Sequence, residues 1–142
     1  MLDVYRDLID ELLGTPTEVR GSIDAAGGDA PQQAVRLIAE MRDRDRAVLA
    51  RVQAMTRERE PYLPALRLPE ADAALKLTPL LAEMETARGD LVSLLINLSL
   101  RDWERTAIDE QEDEISLADE IERHVEFDES QRGKLRALLS AP

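Results

Sequence analysis

The sequence predicts an all-α fold, a bundle of four main helices in a single domain covering residues 1–142. Four long segments carry apolar residues at the three- and four-residue spacing that places them on one helical face. No segment shows a convincing alternation of apolar and polar residues, and the chain contains only 6 glycines. A chain of 142 residues is long enough to bury one proper core.

The first two helices are predicted on either side of a glycine-containing loop. Apolar residues at helical spacing run through Leu2–Leu13, and Gly14–Pro16 is expected to interrupt this helix, which then resumes with a kink. The second helix should span Pro31 to about Glu60, because proline suits a first helical position and Pro61 ends the pattern. Its apolar stripe includes one polar member, Asp45.

The third helix follows a proline-rich connection. Tyr62–Pro69 is predicted to be a loop that leads into a short helix at Glu70–Lys76. Thr78 and Pro79 form a good pair of N-cap and first helical residue. From there the third helix should continue to Leu98.

The last helix is predicted after an acidic segment. Asp109–Glu114 has five carboxylates in six residues. We expect a solvated loop there, since the segment lacks the glycine and the ligand spacing of a calcium-binding EF-hand. Ser116 is a suitable N-cap with Asp119 three residues later, which predicts a capping box and a helix that reaches about Leu139.

Three polar side chains lie on the otherwise apolar stripe of the last helix: His124, Asp128 and Gln131. Polar groups that face a bundle interior need hydrogen-bond partners. In one interpretation they satisfy one another or reach water, and His124 and Asp128 are close enough at i and i+4 to meet. In the other they point, with Asp45, into a cavity that is the remnant of a site.

Composition excludes several classes of function. The net charge of -12 repels phosphate backbones, so no nucleic-acid partner is expected. The absence of cysteine excludes disulfides and thiol catalysis by the chain, and it suits a reducing cytoplasm. No basic region follows Met1, so no signal peptide is expected, and the longest apolar run, Leu91–Leu100, is too short to span a membrane.

Four stretches together resemble the DinB-like (damage-inducible) superfamily. Leu37–Val52 is similar to its second helix, and Leu80–Leu98, which contains Arg88, is similar to its third. Leu98–Ala107 looks like the family's turn with an Asp-Trp pair, and Ser116–Leu139 looks like its fourth helix. The resemblance covers about the whole chain. It implies a four-helix bundle with a long crossover between the second and third helices.

The resemblance also implies a metal site. Many members bind a divalent metal, often zinc or nickel, through three histidines, and some are thiol-dependent transferases or isomerases. The positions that match the three ligands are Glu40, Phe127 and Gln131. Phe127 cannot bind a metal, and Gln131 is a poor ligand for zinc or nickel. A shifted register would instead offer Glu40, His124 and Asp128 as a substitute three-ligand site.

Three hypotheses for function follow, from different classes. The leading one is a degenerate DinB-like bundle without metal-dependent catalysis and without a cofactor, which binds a small molecule or a protein partner. The alternatives are a divalent-metal-dependent, thiol-dependent transferase or isomerase that uses the shifted site, and a structural homodimer. We expect a homodimer because related proteins commonly self-associate.

The sequence also predicts which apolar residues are buried. Trp103 should be structural, because a large ring at the start of the last connection can cover the bundle end. The predicted core consists of Leu8, Leu37, Met41, Val48, Val52, Leu81, Met84, Leu91, Leu95, Ile121, Val125 and Leu135.

Overall fold

The computed structural model describes residues 2–70 and 74–140, which contain five helices and one short hairpin. The elements are α1 (Leu2–Ala25), α2 (Gln32–Arg57), α3 (Leu77–Ile96), α4 (Leu100–Trp103), β1 (Thr106–Ile108), β2 (Glu114–Ser116) and α5 (Leu117–Ser140). The four long helices pack into a bundle, which confirms the predicted fold class. Within the described ranges, no helix is both long enough and apolar enough to cross a membrane.

The order of the helices around the bundle differs from their order in the chain. Both α1 and α2 pack against α3 and α5, so α1 and α2 lie diagonally across the bundle. Helices α2 and α3 run in the same direction, since each begins in one apolar cluster and ends in the other. Parallel neighbours need a connection that returns the chain along their length. The predicted crossover would do this, but its residues 71–73 lie outside the described residues, and it stays a prediction.

The core consists of two apolar clusters, one at each end of the bundle. The hairpin-end cluster is built around Leu12, Val52, Leu91, Trp103 and Ile121. The loop-end cluster is built around Ile23, Ile38, Met41, Leu80 and Leu135. Nine of the twelve predicted core residues are buried. The other three, Leu8, Leu37 and Val125, are half-buried and pack against the edges of the clusters.

The predicted interruption of the first helix at Gly14–Pro16 is wrong. Helix α1 is continuous through Pro16. Proline has no N–H, so the Leu12 carbonyl one turn earlier loses its helical donor. Arg88 replaces that donor, since its Nη1 lies 2.7 Å from the Leu12 oxygen. A partner from another helix therefore satisfies the backbone group that proline leaves unpaired.

Two helices have bounds that differ from prediction, and one predicted short helix is not seen. Helix α2 ends at Arg57, because the chain becomes extended at Glu58 and places residues 61–63 beside β1. Helix α3 begins at Leu77, and its N-cap is Lys76, which makes no side-chain cap, rather than Thr78. It ends at Ile96, two residues before the predicted Leu98. The short helix predicted at 70–76 is not seen at residues 70 and 74–76, and 71–73 lie outside the described residues.

The acidic segment is the turn of an antiparallel hairpin, which the sequence pattern does not predict. Strand β1 pairs with β2, and Ala107 lies opposite Ile115. The solvated loop is confirmed for residues 110–113, which are exposed, whereas Asp109 is buried. The carboxylate of Asp109 accepts hydrogen bonds from the backbone N–H groups of Asp113 and Gln111, which lower its pKa. Three-residue strands are too short to show a readable alternation.

The predictions for both ends of the segment between Trp103 and Ser116 are confirmed. Ser116 and Asp119 form the predicted capping box, with reciprocal backbone-to-side-chain distances of 2.9 and 3.0 Å. Trp103 is only 3% exposed, which confirms the predicted burial. Its ring stacks on Tyr5 of α1 with centroids 4.6 Å apart, so it covers the hairpin end of the bundle.

A substitution in the hairpin-end cluster tests the helical register. Leu91→Ala should lower the free energy of unfolding by about 2–5 kcal/mol, because it opens a cavity around a fully buried side chain. Leu13→Ala is the matched control, since Leu13 is 49% exposed, and it should change stability by less than about 0.5 kcal/mol. Both values come from urea unfolding followed by circular dichroism. Equal effects of the two substitutions would contradict the register.

Candidate functional site

A layer of five polar side chains separates the two apolar clusters. All four long helices contribute to it. We call this set the polar layer: Thr15 of α1, Asp45 of α2, Arg88 of α3, and His124 and Asp128 of α5. Each of these side chains is buried. Such groups are tolerated inside a protein only when they bond to one another.

Arg88 is the centre of the polar layer. Its Nη1 and Nη2 donate to the two carboxylate oxygens of Asp128 at 2.7 and 2.8 Å, a bidentate pair. Its Nε donates to Asp45 at 3.0 Å. Burial alone lowers the pKa of Arg88, but the hydrogen bonds and charges of Asp128 and Asp45 outweigh burial and raise that pKa. Arg88 is therefore a permanent cation between two buried carboxylates.

His124 bonds to α2 and not to Asp128, so the predicted contact between these two residues of α5 does not occur. Its Nε2 lies 2.6 Å from Oδ1 of Asp45. Its Nδ1 accepts a hydrogen bond of 3.1 Å from Nε of Arg44. An arginine Nε–H can only donate, so Nδ1 carries no proton. His124 is therefore the neutral tautomer that donates from Nε2 to Asp45.

The remaining members of the polar layer are also paired. Thr15 donates to Asp128 at 2.9 Å and accepts from Arg132 at 3.3 Å. Within the described part of the chain, Oδ2 of Asp45 is the buried side-chain atom that lacks a partner. His124 and Asp128 are therefore satisfied, but by partners on other helices and not by one another as predicted.

The positions that match the family's metal ligands lie along the contact between α2 and α5. We call this group the α2–α5 seam: Glu40, Arg44, Phe127 and Gln131. Gln131 Nε2 donates to Glu40 at 3.0 Å, and it lies 3.4 Å from the Leu37 carbonyl oxygen. Phe127 lies parallel to the His124 ring, with centroids 6.3 Å apart. The guanidinium carbon of Arg44 is 4.6 Å from the centroid of Phe127.

These donors do not converge as a metal site. Among residues 2–70 and 74–140, no group of three or more His, Asp or Glu side chains is arranged to hold a metal ion. Glu40 bonds to Gln131, whereas His124 and Asp128 bond to Asp45 and Arg88. The structure thus brings Glu40 and Gln131 together, but it does not assemble Glu40, His124 and Asp128. The residues present do not fit the three-donor set that the resemblance implies.

A second buried ion pair joins α2 to α5, and it also bonds to the segment between α2 and α3. Arg51 donates from Nε and Nη2 to the two carboxylate oxygens of Glu120 at 2.9 and 3.0 Å. Its Nη1 donates to the Pro64 carbonyl at 2.6 Å. This pair holds the start of the segment between α2 and α3 against the hairpin-end cluster.

The arginines of these networks were not predicted from the sequence as partners of the buried carboxylates. A signal was available for Arg88, which falls on the apolar stripe of α3, four residues after Met84 and three before Leu91. A lone arginine on a buried stripe predicts a buried carboxylate partner. No comparable signal marks Arg44, because it neighbours the stripe residue Asp45 in a segment rich in charges.

The fold defines the class of this protein as a four-helix bundle with parallel second and third helices. No family model and no curated protein matches the chain. Its structure is similar to that of YfiT from Bacillus subtilis, with a TM-score of 0.72 and 15% identity, covering 94% of this chain and 85% of YfiT. YfiT is described as a probable metal-dependent hydrolase with an unusual four-helix bundle topology. The likeness shows that the two proteins share a fold.

Proposed function

We propose that this chain is a degenerate DinB-like bundle that binds a small molecule at the α2–α5 seam without metal-dependent catalysis. The observation that carries the proposal is the chemistry at the positions matching the family's ligands. Phe127 presents an apolar ring there, and Glu40 is hydrogen-bonded to Gln131 at 3.0 Å. A catalytic zinc-type site needs about three protein donors and an open position. One carboxylate and one amide do not supply that set.

Space for a ligand supports the binding half of the proposal. A cavity of ≈ 460 Å³ is lined by Arg36, Glu40, Leu68, Pro69 and Glu70. This volume lies within the range of about 300–1,000 Å³ that is common for small-molecule sites. Its lining combines apolar side chains with both signs of charge. Glu40 belongs both to this lining and to the seam, so in this proposal the ligand reaches the seam at Glu40.

The other two hypotheses have less support. YfiT is described as metal-dependent, but a shifted metal site here would require His124 and Asp128 to abandon their buried bonds to Asp45 and Arg88. Breaking buried charge pairs is costly. The homodimer stays a prediction, and sedimentation of only a 15.9 kDa species at high concentration would contradict it.

Metal titration tests the proposal. The wild-type protein, purified without a histidine tag, should carry no stoichiometric zinc or nickel and should show no metal-dependent shift in melting temperature. The triple variant Glu40→His, Phe127→His, Gln131→His should acquire such a shift. Positions 127 and 131 are one helical turn apart, and position 40 faces position 131 across the seam.

The matched controls separate this proposal from the shifted site. The variants His124→Gln and Asp128→Asn each change one ligand of the shifted site, with little change in the shape of the side chain. A stoichiometric metal shift in the wild type that either variant abolishes would overturn the proposal in favour of a metalloenzyme. A shift confined to the triple variant supports a lost metal site.

A further inference from the structure

Arg44 differs from every other buried or half-buried arginine in the described residues, because it forms no ion pair with a carboxylate. The charges of Glu120, Asp128 and Asp45 act on it only from a greater distance. Its Nε donates to His124, and neither Nη group has a hydrogen-bond partner within residues 2–70 and 74–140. The other arginines of this kind each form an ion pair: Arg42, Arg51, Arg88, Arg105 and Arg132. Two nitrogens of a half-buried cation are thus left to donate to another molecule.

The orientation of the Arg44 guanidinium is fixed from two sides. His124 holds Nε at 3.1 Å, and Asp45 holds His124 in turn at 2.6 Å, with both side chains at 0% exposure. The ring of Phe127 lies 4.6 Å from the guanidinium carbon, a distance typical of a cation–π contact. A fork held in this way loses little conformational entropy when it binds a ligand. The free edge of the guanidinium is therefore preorganised.

We propose that Nη1 and Nη2 of Arg44 bind the carboxylate of a small monoanionic ligand through two parallel N–H···O bonds. This inference rests on the proposed function and names the ligand class for the same seam. A planar carboxylate matches the spacing of the guanidinium fork and can accept both bonds at once.

Charge limits the ligand to a monoanion. Around the neutral His124, three arginines balance three carboxylates: Arg44, Arg51 and Arg88 against Asp45, Glu120 and Asp128. Glu40 of the seam adds one negative charge, so every further negative charge on a ligand is unfavourable. A monocarboxylate adds one negative charge, whereas a phosphate dianion adds two inside a chain of net charge -12. Burial lowers the pKa of Arg44, and an adjacent carboxylate would offset that cost by favouring the charged guanidinium.

Benzoate and its neutral isostere benzamide provide a direct test. Thermal melting at constant ionic strength should show a saturable rise in melting temperature with benzoate, a weaker response to inorganic phosphate and none to benzamide. Arg44→Gln should weaken benzoate binding about tenfold or more, which corresponds to about 1.4 kcal/mol or more. Arg46→Gln is the matched control, because it makes the same charge change on an exposed side chain (56%) and should leave binding unchanged.

A second measurement keeps the test valid if Arg44→Gln does not fold. Arg44→Lys retains the charge but lacks the fork, so it should also weaken benzoate binding. In the wild type, benzoate should move the side-chain NMR resonances of Arg44 and leave those of Arg46 in place. Equal responses to benzoate in the wild type and the Arg44 variants, or equal responses to benzoate and benzamide, would overturn the carboxylate assignment.

Failure of this inference can be told apart from failure of the proposed function. A fragment screen run on the same wild-type sample includes neutral and cationic molecules. If such a molecule binds and shifts the resonances of Gln131 and Phe127 while carboxylates do not, the seam is a binding site and the carboxylate assignment is wrong. If no fragment perturbs the seam, the proposed function fails as well.

Discussion

Replacing Arg88 with methionine should lower the free energy of unfolding by about 3–5 kcal/mol, the cost of leaving a buried charge without its partner. The substitution removes four hydrogen bonds, to Asp45, to both carboxylate oxygens of Asp128 and to the Leu12 carbonyl. Asp45 and Asp128 are 0% and 2% exposed, so water cannot replace the lost cation without opening the bundle. Urea unfolding followed by circular dichroism measures the loss.

Two further variants show that the cost arises from buried charge. Arg20→Met breaks an ion pair of 2.6 Å with Glu85, but these side chains are 46% and 40% exposed, and the loss should be no more than about 1 kcal/mol. The triple variant Asp45→Asn, Arg88→Met, Asp128→Asn should be more stable than Arg88→Met alone, because no carboxylate remains buried unpaired. An Arg88→Met protein as stable as Arg20→Met would contradict the central role of Arg88.

Trp103→Ala should lower the free energy of unfolding by about 3–5 kcal/mol. The ring is 3% exposed and fills the hairpin end of the core. It also stacks on Tyr5 at 4.6 Å, and an aromatic pair contributes about 0.5–1.5 kcal/mol beyond the area it buries. Because Trp103 is the single tryptophan, unfolding of the variant has to be followed by circular dichroism.

The exposed aromatic Tyr62 provides the control for Trp103. Its side chain is 61% exposed, so Tyr62→Ala should change stability by less than about 0.5 kcal/mol. Strong quenching of wild-type Trp103 fluorescence by iodide would show that the ring is accessible. That result, or a stable Trp103→Ala protein, would mean that the bundle end is not covered as described.

The polar layer explains why this bundle retains charges where apolar residues would be simpler. Buried pairs such as Arg88–Asp128 and Arg51–Glu120 contribute little net stability when they are complete, yet removing one partner is costly. Such pairs therefore act against alternative packings, since a shifted helix would leave a carboxylate unpaired. In this molecule the pairs join α2 and α3 to α5, which fixes the relative register of those helices.

Properties of single segments could be predicted from the sequence. The apolar stripes predict four long helices and twelve core residues, of which nine are buried, and the Ser116–Asp119 pair predicts the start of α5. The polar positions Asp45, His124, Asp128 and Gln131 were found for the same reason, because the helical period places them on a buried stripe. Each of these inferences needs only residues within a few turns of one helix.

Only the tertiary structure determines which side chains bond to each other across the bundle. His124 bonds to Asp45, which is 79 residues away in sequence, and not to Asp128, one turn away on the same helix. Pro16 stays inside α1 because Arg88, far along the chain, supplies a donor to Leu12. Local periodicity indicates that a side chain faces the interior. Which group it contacts there depends on the order of the helices around the bundle and on their relative alignment. That order is set by packing between segments, which no single segment encodes.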